Sequence, residues 1–116
     1  MTITRLQPGK RMSQAVRHGN TVYLAGQVAS DPNSTIEKQT AEVLAAIDKL
    51  LAEAGTSKSK VLSCQVILNN IGDFAAMNSV YDAWIDSANP PARACIEARL
   101  ASPALKVEII AVAALD

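Results

Sequence analysis

The chain has 116 residues, with 11 basic and 11 acidic side chains and a formal net charge of zero. Hydrophobic residues make up 49% and charged residues 19%, which excludes disorder, and the charge balance leaves no pull towards nucleic acid or an anionic membrane. The length suits one domain over 1–116, and size scaling gives roughly 6,100 Å² exposed when folded against about 17,800 Å² unfolded. The apolar residues are mainly aliphatic, since only Tyr23, Phe74, Tyr81 and Trp84 are aromatic. So apolar a small chain has either a generous core or a surface that another subunit covers.

In chain order, Gly19 and Asn20 mark a tight turn between two extended runs. The second run, 21–29, alternates, with Val22, Leu24, Gly26 and Val28 on one side and Tyr23, Ala25 and Gln27 on the other. A glycine inside a strand predicts a bulge or the close approach of another group. Ser34 and Glu37 have capping-box spacing. Ile36, Val43, Leu44, Ile47, Leu50, Leu51 and Ala54 then recur at helical spacing until Gly55 ends the helix. Residues 61–69 read as a strand with Leu62, Cys64, Val66 and Leu68 on one face. Asp73 caps a second helix with Phe74, Met77, Val80, Tyr81 and Trp84 inward, and Pro90-Pro91 stops it. Strands 92–100 and 105–115 follow, parted by a Ser102-Pro103 turn.

The order β-β-β-α-β-α-β-β predicts an α+β layer fold, a six-stranded mixed sheet with two helices on one face. The other sheet face is then bare in a monomer. It carries apolar residues such as Ile110 and Val112, which makes it a surface for self-association.

No apolar run approaches the roughly 20 residues needed to span a bilayer, and residues 1–8 lack the apolar core of a secretory signal. Cys64 and Cys95 form no CxxC pair, and with the single His18 they make no zinc site. A cytoplasmic chain with two reduced, structural thiols is the expectation.

Strand 92–100 carries the chemistry. Arg93, Cys95, Glu97 and Arg99 alternate with an apolar set, and Lys106 and Glu108 come from the following strand. One reading is a solvated face with cross-strand ion pairs, to which Glu97 and Arg99 belong. The other is an arginine site for a carboxylate, whose two oxygens match the guanidinium fork. Cys95 has no adjacent base to make it a nucleophile, and His18 reads as an exposed turn residue. Tyr81 and Trp84 read as core or pocket wall, and Gln27 as a structural hydrogen-bonder.

The stretches RMSQAV (11–16), VYLAGQVA (22–29), FAAMNSVYDAW (74–84) and PPARACIEARLASPALKVEIIAVAAL (90–115) resemble the RidA/YjgF/UK-type family of enamine/imine deaminases. The resemblance implies a chorismate-mutase-like fold, a homotrimer, ligand clefts between subunits, and hydrolysis of reactive 2-imino acids to 2-oxo acids and ammonia without metal or cofactor. It implies that Arg93 grips the substrate carboxylate and that Glu108 holds the hydrolytic water. Cys95 then lines the pocket through its backbone carbonyl, and Gly26 lines the cleft. The sequence departs from the pattern at two places. Met12 stands where a tyrosine lines the pocket, and Ala25 stands where a serine precedes the cleft glycine, so the pocket is expected to be more apolar. A non-catalytic trimer that binds a small 2-oxo or 2-imino carboxylate is the alternative. Ribonuclease activity sits poorly with a neutral chain holding one histidine. Chorismate mutase activity rests on fold analogy alone.

Overall fold

The computed structural model describes residues 2–116; Met1, part of the polar segment 1–8, lies outside the described residues. Seven strands and two α-helices form among them: β1 (Ile3–Leu6), β2 (Ala15–His18), β3 (Thr21–Leu24), β4 (Gln27–Val28), α1 (Ile36–Ala54), β5 (Val61–Leu68), α2 (Phe74–Trp84), β6 (Ala92–Glu97) and β7 (Val107–Ala114). They build one mixed sheet in the order β1-β2-β3-β7-β5-β6, with β4 also paired to β7. Only β5 and β6, joined through α2, run parallel; the other pairs are antiparallel. Both helices lie on one face, giving the chorismate-mutase-like architecture. No helix among the described residues is long and apolar enough to cross a membrane.

Three features follow the pattern read from sequence. The β2–β3 hairpin turns at Gly19, whose φ of 60° lies in the left-handed region. Gly55 closes α1 at φ 91°, with its amide bonded back to Leu51 and Ala52. The α1 stripe from Ile36 to Ala54 is buried in the core as the helical spacing predicts.

Four features differ. The run 21–29 is two strands, because pairing with β7 lapses at Ala25-Gly26 and resumes at Gln27; the sheet therefore has seven strands, not six. The N-cap of α1 is Thr35, whose Oγ1 accepts from the Lys38 amide at 3.2 Å, while Ser34 donates to Asp31 O. The Ser34–Glu37 capping box is thus displaced by one residue. In β5 the register slips between Val61 and Ser63. This bulge leaves Val61, Cys64, Val66 and Leu68 on the core face and turns Leu62 outward at 51% exposure. Finally, β6 ends at Glu97 and does not pair with β7, because β5 lies between them.

Cys64, Val66, Leu68, Val107, Ile109, Ala111 and Ala113 line the sheet face beneath the helices. The opposite face has no helix layer. It presents Tyr23, Val28, Ile67, Ile96, Ile110 and Val112, and Tyr23 and Ile96 are 50% and 44% exposed. The total exposed area of 6482 Å² exceeds the scaling expectation, in keeping with an uncovered sheet face.

A clasp unforeseen in the sequence ties the helix layer to the loop before β7. Gln39 is fully buried in the first turns of α1. Its Nε2 donates to the carbonyls of Pro32, Ser34 and Ala104, and its Oε1 accepts from the Lys106 amide at 2.9 Å. A buried amide with every polar group partnered locks the loop before α1 to the loop before β7.

Candidate functional site

Arg93 enters the structure on the edge strand. The parallel register pairs Cys64 with Arg93, Val66 with Cys95 and Leu68 with Glu97. Paired residues point the same way, so all three β6 side chains lie on the helix side of the sheet. There α2 presents Phe74, Asn78 and Tyr81, spaced by four and three residues and so on one stripe. Asn78 Oδ1 accepts from Arg93 Nη1 at 2.7 Å. The guanidinium carbon stands 4.8 Å from the Tyr81 ring centroid and 5.7 Å from that of Phe74. The arginine is thereby held in one orientation yet remains exposed, with donors left for an anion. Asn78 was not singled out from sequence. Its signal is a polar residue on an otherwise apolar helical stripe.

The surroundings keep this cluster neutral apart from Arg93. Burial pushes the Tyr81 hydroxyl up to about 12, helped by nearby Cys64 and opposed by the Arg93 charge. Burial also raises the thiols of Cys64 and Cys95, against the pull of Arg93. Cys95 is half-buried against the core and has no base beside it to make a thiolate. His18 lies in β2, with β3, β7 and β5 between it and β6.

The other predicted residues gather elsewhere. Val28 of β4 pairs with Glu108 of β7, which brings the Ala25-Gly26 interruption against the Glu108 side chain. A Cβ on Gly26 would overlap the Glu108 carboxylate and lie 2.9 Å from its Cδ. This is the close approach that a glycine in a strand pattern predicts. The Ala25 amide donates to Gln14 O at 2.9 Å, and Gln27 Nε2 donates to Gln14 Oε1 and to Ala25 O. Gln27 is thus the structural hydrogen-bonder expected, and it holds the 7–14 loop against Gly26. Met12 sits in that loop at 48% exposure. It lines a cavity of about 630 Å³ together with Gln7, Gly9, Lys10, Arg11 and Gln14. Two cations and two amides share this hollow with Met12.

Within one chain these two groups stay apart. Strands β6 and β7 are not neighbours, so the single charged surface expected from Arg93, Glu97, Arg99, Lys106 and Glu108 does not form. Glu108 pairs with Ile67, on the open sheet face, whereas Arg93 pairs with Cys64 on the helix face. Glu97 does not sit in a cross-strand ion pair; its Oε1 accepts the Ile71 amide at 2.9 Å and steadies the loop before α2. The Lys106 amide belongs to the Gln39 clasp, and Arg99 lies beyond β6. On the open face, Ala92, Ala94, Ile110 and Val112 help line a shallow depression of about 410 Å³.

A family model described as endoribonuclease L-PSP matches residues 2–115. A RutC family protein from Haemophilus influenzae is 47% identical over 97% of this chain and 98% of its own. The RutC family protein YoaB of Escherichia coli is 41% identical over 99% of this chain and all of its own. A solved YjgF-family structure from Neisseria meningitidis superposes with a TM-score of 0.97 at 43% identity, covering 100% of this chain and 97% of that one.

Proposed function

The chain belongs to the endoribonuclease L-PSP family, to which its YjgF and RutC relatives point, and on that premise we propose that it hydrolyses 2-imino acids to 2-oxo acids and ammonia. The family includes enzymes, and the deaminase chemistry comes from the sequence resemblance to its RidA-type members. The observation that carries the reading is Arg93, an exposed guanidinium held by Asn78 and two aromatic rings. Such a fork binds a planar carboxylate through two parallel hydrogen bonds. Anchoring the carboxylate aligns the adjacent C=N carbon for attack, which lowers the entropic part of the barrier.

Glu108 supplies the second function in this reading. Its carboxylate orients a water and accepts a proton as the oxygen bonds to the imine carbon. The imine nitrogen takes up a proton, giving a carbinolamine. Proton transfer from its hydroxyl and cleavage of C–N then release ammonia and leave the 2-oxo acid. Arg93 and Glu108 lie on opposite sheet faces, so a complete site needs Arg93 of one copy beside Glu108 of another. The bare apolar face supports that assembly, for which we propose a homotrimer.

A second reading, carboxylate binding without turnover, is favoured by the same separation, since Arg93 alone suffices to hold a carboxylate. The ribonuclease reading has no such support: the charge is balanced, and the one histidine lies four strands from β6. The deciding assay generates imines from several amino acids with an amino-acid oxidase and follows their loss by semicarbazide trapping. Accelerated loss that vanishes in Arg93→Ala supports the deaminase. Calorimetric binding of 2-oxo acids with no acceleration of any imine supports the binding module.

A further inference from the structure

We propose that Lys10 and Arg11 form an anion subsite that makes this chain selective for 2-imino acids with a second carboxylate on the side chain. The inference rests on the deaminase reading and adds a substrate class to it. The first 30 residues hold four basic side chains, Arg5, Lys10, Arg11 and Arg17, and no acidic one; Asp31 is the first acid. Lys10 and Arg11 face the same cavity, with the amide side chains of Gln7 and Gln14 in its wall. No carboxylate is among its lining residues.

The loop is built rather than loose. Gln7 has φ 49°, a left-handed conformation that a non-glycine residue keeps only where the surroundings impose it. Its side chain donates to Glu53 of α1 at 2.7 Å, the Gly9 amide donates to Met12 O at 2.8 Å, and the Gln14 amide donates to Leu6 O at 3.0 Å. These bonds curl the loop so that its two cations share one hollow.

Gln14 ties the hollow to the segment around Gly26 that packs on Glu108. Gln14 belongs to its lining and bonds at once to Ala25 and Gln27, the residues on either side of Gly26. In this proposal a substrate whose C2 lies at Glu108 directs its side chain past Gln14 to Lys10 and Arg11. Two cations beside Met12 suit a short chain ending in a carboxylate, its methylenes on the thioether and its charge on the basic pair. A third cation, or a bare aliphatic wall, would suit a different side chain.

The test compares imines of glutamate and aspartate with those of alanine and leucine, in the wild type and in Lys10→Ala/Arg11→Ala. The wild type is expected to favour the dicarboxylates. The double variant is expected to raise their KM about tenfold, the worth of a charged hydrogen bond, with little change in kcat and none for alanine imine. Added salt should raise the dicarboxylate KM more steeply than that of alanine imine. Equal effects on both substrate sets, or no effect on either, would overturn the subsite. If no imine is turned over, deamination fails, and calorimetry then decides the subsite. Tighter binding of 2-oxoglutarate than of 2-oxobutyrate, lost in the double variant, upholds it; equal binding overturns it.

Discussion

Arg93 and Glu108 occupy opposite faces of one sheet, two strands apart, the arginine beneath α2 and the glutamate on the uncovered side. Two strand spacings alone separate them by about 10 Å. Neither side chain can reach through a packed layer of Cys64, Val66 and Ile109 to the other. A reaction that uses both has to bring them from different copies.

That geometry predicts complementation. The Arg93→Ala and Glu108→Ala proteins are each expected to be inactive. Unfolded together and refolded as an equal mixture, they are expected to regain about a quarter of wild-type activity, because about a quarter of the interfaces then pair an intact arginine with an intact glutamate. Recovery in mixed refolding, and none when the two preformed proteins are simply combined, is the result to look for. Persistent inactivity after mixed refolding would mean that the two residues serve the same copy or different purposes.

Asn78 accepts a hydrogen bond from Arg93, which makes it a positioning residue in the proposed reaction. Asn78→Ala is expected to raise KM several-fold with a small change in kcat. Arg93→Lys is expected to lose about a hundredfold in kcat/KM, since an ammonium cannot make the paired bonds of the fork. Steady-state kinetics on one imine separates the two patterns. Melting temperatures should stay nearly constant, because Arg93 is exposed and such contacts contribute under about 1 kcal/mol.

Gly26→Ala places a methyl where the Glu108 carboxylate lies. The glutamate has to rotate away, and a displaced group near the reacting atoms lowers kcat by about a hundredfold. Adding Glu108→Ala to the glycine variant removes the overlap. The double variant should melt above Gly26→Ala while remaining inactive, a coupling that thermal scans of the four-member cycle measure.

Gln39→Leu keeps the volume of the buried side chain and leaves three carbonyls and the Lys106 amide without their partner. The expected loss is about 2–4 kcal/mol, seen as a melting point lower by about ten degrees. An unchanged melting point would show that water replaces the clasp fully.

The Tyr81 hydroxyl, held up to about 12 by burial, ties stability to pH at the alkaline end. The unfolded chain releases this proton near pH 10, its ordinary value, whereas the folded chain keeps it. Tyr81 therefore contributes stability in full below pH 10, and that contribution is lost progressively between pH 10 and about 12. Tyr81→Phe should flatten this part of the stability curve. Denaturant midpoints from pH 9 to 11 for both proteins check the sign.

Several features could be read from residue order because the forces behind them are local. The α1 stripe follows from a 3.6-residue repeat, and the Gly19 and Gly55 turns from the one side chain that tolerates positive φ. Arg93 stood out by its alternation and by the resemblance around it, and Gly26 by being a glycine where a strand should continue. The β5 bulge was not legible, since Leu62 fits the alternation that the slip breaks. Nor was the Thr35 cap, because Ser34 and Thr35 have the same chemistry one position apart.

By itself, then, the sequence determined the helices, most strands, the core stripe, the carboxylate-binding candidate and the apolar surplus. Tertiary structure alone decided that β5 comes between β6 and β7, that Arg93 leans on Asn78 and Tyr81, and that Glu108 looks the other way. The reason is physical: periodicity reports which side of an element is apolar, whereas strand order and register arise from pairings between residues tens of positions apart. Those pairings separate the two candidate catalytic groups, and they turn the apolar surplus noted at the outset into an open sheet face.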